Sequence, residues 1–181
     1  MISQYEKTEI VAACRQTFRE WYGEDLARQG ACLYWNQVVM RELALRGHRP
    51  VLQAGDLWWR IVSLEQDDGI SPTHFSYEFD LAQPFSQDAL ARGLFPECHT
   101  WAALPDERMI VDLSVRYLPD VARERHQLRW EAPLPPDYVF GGVPLGACYV
   151  PKLEAIKFVW RFIAEKMAAP EHRETILAAV Q

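Results

Sequence analysis

The sequence lacks the features that mark several specialised classes of protein. It has no run of about 18 apolar residues, so no segment predicts a transmembrane helix. Lys and Arg form no run, and the net charge of −6 argues against general binding of nucleic acid, which leaves a local basic patch open. No basic stretch followed by an apolar one stands at the N-terminus, so we expect no secretory signal and a cytoplasmic protein. The sequence therefore does not favour a membrane protein, a secreted protein or a nucleic-acid-binding protein.

The four cysteines form no pattern typical of a disulfide framework or a metal site. They stand at positions 14, 32, 98 and 148, and no pair has the C-x-x-C spacing. Cys98 adjoins His99, but neighbouring side chains in a strand point to opposite faces, so we do not expect these two to share a metal ion. We expect reduced thiols, no metal and no cofactor.

The residues that are present suit one domain of 181 residues with an α+β fold, in which a central helix packs on a mostly antiparallel sheet. Apolar residues at helical spacing predict helices over 4–22, 31–46 and 152–168, with a shorter helix after Pro170. Residues 117–150 are rich in proline and are predicted to be loops.

Cys32 is the first candidate for chemistry because it lies in the first turn of the central helix. The free N–H groups and the positive end of the helix dipole favour an anion at that position. A thiolate there has a lowered pKa and acts as a nucleophile. The alternative is that Cys32 is a small buried hydrophobic residue.

A hairpin supplies the second candidate. A turn at Leu104–Glu107 pairs residues whose numbers sum to 211, which places Ala103 opposite Arg108 and His99 opposite Asp112. Opposed side chains lie on one face of the sheet, so the carboxylate can orient the imidazole as a catalytic histidine requires. The alternative is a structural His–Asp pair on a half-exposed sheet.

These pieces have a recognisable order. The segments GACLYWNQVVMRELALRG, CHTWAAL and MIVDLS resemble the transglutaminase-like superfamily, which is related to the papain-type cysteine enzymes. The resemblance covers roughly residues 25–116 and leaves 117–181 as a C-terminal extension. It implies that Cys32 is the nucleophile, His99 the general base and acid, and Asp112 the orienting carboxylate.

The function that these residues predict is acyl transfer through a thioester on Cys32, with a peptide, a protein or a small amide as substrate. Hydrolysis and transfer to an amine both remain open. The alternatives are a non-catalytic interaction module on the same scaffold and an acyltransferase that uses the same three residues. The oligomeric state also remains open.

Three aromatic residues are candidate substrate contacts. Trp101 shares a strand face with His99, and Tyr34 lies within the first turn of the central helix. Trp58 could line a cleft, although packing is the commoner role for such a residue. Tyr34 or Gln29 could also join the Cys32 backbone N–H as a donor to the oxyanion.

Overall fold

Helices flank an antiparallel sheet in this mixed α/β fold. The computed structural model describes residues 2–27, 31–60, 74–128, 130 and 133–167. The helices are α1 (Gln4–Ala27), α2 (Cys32–Leu45), α3 (Pro84–Ala91), α4 (Leu118–His126) and α5 (Leu153–Phe162). The strands are β1 (Val51–Arg60), β2 (His74–Tyr77), β3 (His99–Leu104), β4 (Met109–Asp112), β5 (Val139–Gly141) and β6 (Ala147–Pro151).

The strands follow the order β2-β1-β3-β4-β5, and β6 pairs with β1. Every pairing is antiparallel. Among the described residues, no helix is both long and apolar enough to cross a bilayer. The strand pairings confirm the predicted antiparallel sheet, and α2 is the predicted central helix.

The β3–β4 hairpin has a different register from the predicted one. Leu104 pairs with Met109 and Ala102 with Val111, so the paired numbers sum to 213 rather than 211. The loop is the four residues 105–108, and it ends at Arg108 in the left-handed conformation with φ 54°. A shift of two residues leaves every side chain on its predicted face, because side chains alternate with a period of two.

The central helix α2 packs on one face of this sheet. Ala102, Leu104 and Val111 join Val38 and Leu43 of α2 in one buried cluster. Gly47 follows the helix with φ 82°, and its N–H and that of the next residue bond to carbonyls of the last turn. This is the C-terminal glycine cap expected from the sequence.

The region predicted as loops contains regular structure. Helix α4 and strands β5 and β6 all lie between residues 117 and 151. The C-terminal helix α5 continues as a wider π-type turn at Ile163–Met167, and the predicted helix after Pro170 lies outside the described residues. Helix α1 extends beyond its predicted end, with a break in helical geometry at Gly23.

Gly55 is the point at which β1 meets two other strands. It pairs with His99 of β3 and with Pro151 of β6. A Cβ atom at Gly55 would lie 2.1 Å from the carbonyl oxygen of Val150 and 2.8 Å from the backbone nitrogen of Lys152. Both neighbours are backbone atoms, so only a shift of the strand itself can relieve the clash.

We therefore expect Gly55→Ala to lower the free energy of unfolding by about 3 kcal/mol or more. Urea denaturation measures the change. Gly142→Ala is the matched control, because a Cβ at Gly142 meets nothing within 4 Å. If both variants are equally stable, the strands do not approach as closely as described.

Candidate active site

Cys32 stands at the start of α2, beside a cleft. Its side chain is 6 % exposed, and its Sγ lies 3.7 Å from the carbonyl oxygen of Cys98. The cleft has a volume of about 610 Å³ and is lined by Cys32, Tyr34 and Cys98 among others. The thiol is therefore shielded from bulk water but open to a small reactant in the cleft.

His99 and Asp112 form a buried pair. His99 Nε2 lies 2.6 Å from Asp112 Oδ2, and the two residues are 1 % and 3 % exposed. The other ring nitrogen, Nδ1, is buried without a hydrogen bond of ordinary geometry. Cys32 and His99 affect each other's pKa through charge and hydrogen bonding, so the thiol lies close to the imidazole.

The carboxylate of Asp112 is held from both sides. Oδ1 accepts hydrogen bonds from the backbone N–H of Ser114 at 2.9 Å and from its hydroxyl at 2.7 Å. Oδ2 accepts a bond from the Tyr149 hydroxyl at 3.0 Å in addition to the contact with His99. These bonds fix the carboxylate, which in turn fixes the orientation of the imidazole.

The pKa values show how charge is arranged in the site. Burial raises the pKa of the Cys32 thiol, but hydrogen bonding and charge from His99 and hydrogen bonding from Thr100 together bring it below its ordinary value. Burial lowers the pKa of His99, but the charge and hydrogen bond of Asp112 raise it to about 10. Burial raises the pKa of Asp112, but the charge and hydrogen bond of His99 bring it below its ordinary value. The arrangement favours a thiolate beside an imidazolium beside a carboxylate.

Comparison with protein-family models, curated proteins and solved structures gives no match. Any function assigned to the site therefore rests on its geometry and chemistry.

The three predicted substrate contacts have different surroundings. Tyr34 lines the cleft beside Cys32, and its ring packs edge-on against Tyr22 at 5.0 Å. Trp101 stacks on His99 at 6.0 Å and is 3 % exposed, so it shields the imidazole and does not line the cleft. Trp58 is 42 % exposed and does not line the cleft either, so its contact with a substrate stays a prediction.

The two residues that bond to Asp112, besides His99, were absent from the sequence prediction. Tyr149 lies on β6, in a region predicted to be loops, and Ser114 follows β4. A serine two residues after a carboxylate is a local signal for the bond between Ser114 and Asp112. No local pattern indicates Tyr149, because β6 pairs with the distant strand β1. The predicted oxyanion donor Gln29 lies outside the described residues.

Cys98 lies near Cys32, a proximity that the sequence did not indicate. It shares the cleft with Cys32. Burial raises the pKa of Cys98 far above its ordinary value, and the nearby charge of Cys32 raises it further. Within the described ranges, no three His, Cys, Asp or Glu side chains are arranged to hold a metal ion. Cys98 is therefore a protonated neighbour of the site.

We expect Tyr149→Phe to lower the free energy of unfolding by about 1.5–3 kcal/mol, because a hydrogen bond to a buried charge is lost. The same change should raise the pKa of Asp112. Urea denaturation at several acid pH values measures both effects. Tyr5→Phe is the control, because Tyr5 is 76 % exposed. If the free energy of unfolding of Tyr149→Phe falls with acid pH in the same way as that of the wild type, the hydroxyl does not stabilise the carboxylate.

Proposed function

We propose that this protein is an acyl-transfer enzyme with Cys32 as nucleophile, and that it belongs to the transglutaminase-like superfamily. The observation that carries the proposal is a set of three groups in which a buried imidazole is held by Asp112 at 2.6 Å and interacts with the Cys32 thiol through charge and hydrogen bonding. Nucleophile, base and orienting group are the parts that covalent catalysis at a carbonyl requires.

In the first half of the reaction, the Cys32 thiolate attacks the carbonyl carbon of an amide or ester and a C–S bond forms. The tetrahedral oxyanion lies near the first-turn N–H groups of α2, which have no acceptor within the helix. Its collapse breaks the bond to the leaving group, which takes a proton from the His99 imidazolium. The product is a thioester on Cys32.

In the second half, water or an amine attacks the thioester carbonyl while neutral His99 accepts its proton. The C–S bond breaks and Cys32 returns to the thiolate. Hydrolysis and transfer differ only in the second nucleophile. Peptides, proteins and small amides are the proposed substrates. The free cysteines among the described residues are consistent with the proposed cytoplasmic location.

The test is the pH dependence of alkylation by iodoacetamide, measured for each cysteine by mass spectrometry. We expect Cys32 to react well below pH 8, because its thiolate is stabilised by His99. Cys148 is the internal reference, since it is an exposed free thiol of the same chain. If Cys32 is inert, or reacts with the same pH profile as Cys148, the protein is an interaction module and not an enzyme.

A further inference from the structure

The cleft beside Cys32 is lined mainly by apolar side chains. Its walls come from the first turn of α2, from α3 and the segment after it, and from the end of α5. Most of its lining side chains are aliphatic or aromatic, including Leu26, Leu33, Phe85, Leu94, Phe95 and Phe162. A reactant that approaches the thiol through this cleft therefore contacts apolar surface.

The cleft offers little to a charged reactant. Arg92 is its single cationic side chain among the described residues, and it pairs with Asp88 one turn earlier at 3.3 Å. Because this arginine is already paired with a carboxylate, it offers little attraction to an anionic chain. The cleft therefore favours a neutral, apolar group.

The position of His99 indicates which part of the substrate enters the cleft. His99 does not line the cleft. Tyr77 lines it, and the Tyr77 ring stacks on the His99 imidazole at 5.4 Å. The leaving group takes its proton from His99, so it must lie on the imidazole side of the thiol. The part that extends from Cys32 into the cleft is then the acyl group.

Two large apolar side chains at the cleft remain in contact with water. Phe85 is 58 % exposed and Leu94 is 48 % exposed. An apolar group bound against them would remove this surface from water, which is favourable in proportion to the area covered. The volume of about 610 Å³ is within the ordinary range of small-molecule sites.

We propose that the cleft is an acyl-binding site that selects neutral aliphatic or aromatic acyl groups for transfer through Cys32. This proposal rests on the proposed function of Cys32 and specifies its substrate class. It applies equally to an ester, a thioester and an amide, because the acyl group is common to all three.

The test uses p-nitrophenyl esters of acetate, butyrate, hexanoate and octanoate, with the anionic glutarate monoester. Nitrophenolate release gives kcat/KM, and intact mass spectrometry identifies the acyl-cysteine. Each rate is divided by the rate of the same ester with N-acetylcysteine, which removes differences in intrinsic reactivity. We expect kcat/KM to rise about threefold to fourfold for each added methylene, and the glutarate ester to react more slowly than hexanoate.

Phe85→Ser tests whether the cleft causes this preference. We expect the octanoate-to-acetate ratio to fall at least threefold, and Phe85→Leu to restore most of it. Leu145→Ser is the control, because Leu145 is fully exposed and does not line the cleft. The iodoacetamide profile of Phe85→Ser should match that of the wild type, which shows that the variant folds and that its thiol is intact.

The outcomes separate the two proposals. If Cys32 is acylated by every ester at the same normalised rate, or if Phe85→Ser keeps the wild-type ratio, the acyl-binding proposal is overturned and the nucleophile stands. If no ester acylates Cys32 faster than it acylates Cys148, and Cys32→Ser loses no turnover, both proposals fail.

Discussion

Replacing His99 with glutamine should slow acylation of Cys32 by about 10²–10⁴-fold, the usual contribution of a positioned acid and base. It should also raise the pKa of the thiol. In the wild type the charge and hydrogen bond of His99 oppose the effect of burial. Without the imidazole, burial remains and favours the protonated thiol. Glutamine is the chosen substitute because its amide N–H can still donate to Asp112.

The His99→Gln prediction is checked by the pH profile of iodoacetamide alkylation and by p-nitrophenyl ester turnover. The Cys32 profile should move toward alkaline pH while the Cys148 profile stays fixed. His48→Gln is the matched control, because His48 also contacts a carboxylate, at 3.1 Å from Glu6. It follows the C-terminal end of α2, whereas Cys32 lies at the start of that helix. An unchanged Cys32 profile in His99→Gln would mean that the imidazole does not activate the thiol.

The second large effect concerns stability. Asp112→Ala should lower the free energy of unfolding by about 3–5 kcal/mol, because it leaves a buried His99 without its charged partner. Asp112→Asn keeps the shape and an acceptor oxygen, so we expect a smaller loss. Both variants should lose ester turnover, since the imidazole is no longer held in one orientation.

The stability difference between wild type and Asp112→Asn should depend on pH in a defined direction. The pKa of Asp112 is lowered in the folded protein, so its contribution is present above the unfolded pKa of about 3.9 and is lost as pH falls through the lowered value. The pKa of His99 is raised to about 10, so its contribution is full below about pH 6.5 and is lost as pH rises toward 10. The pair is therefore most stabilising between about pH 4 and 6.5.

Urea denaturation of wild type and Asp112→Asn at pH 3, 5, 7 and 9 tests this profile. The difference should be greatest at pH 5 and smaller at both extremes. A difference that is the same at all four values would show that the buried pair is not ionised, and the charge arrangement of the site would need revision.

The His99–Asp112 pair could be predicted although the hairpin register was wrong. The predicted turn began one residue too early, at Leu104, and the observed loop ends at Arg108. The resulting shift is two residues, which preserves the side-chain faces, so His99 and Asp112 still meet. A shift of one residue would have separated them. The prediction therefore depended on strand periodicity more than on turn geometry.

The rest of the site depends on contacts that local sequence does not encode. Strand β6 is only five residues long and follows a stretch rich in glycine and proline, so it gave no strand signal. It brings Tyr149 to Asp112 only because it pairs with β1. The cleft likewise depends on how α3 and α5 approach α2, and periodicity predicts helices but not their arrangement.

The double pairing of Gly55 also has a consequence for the order in which the fold is assembled during synthesis. The β3–β4 hairpin joins neighbouring segments, whereas the pairing of β1 with β6 must wait until β6 is made much later. Contacts between distant segments form slowly because of the entropy of closing the intervening chain. On the ribosome, the nascent chain would then bring together Cys32, His99 and Asp112 before the Tyr149 hydroxyl arrives. The Asp112 carboxylate would gain this hydrogen-bond donor only after translation has passed β6.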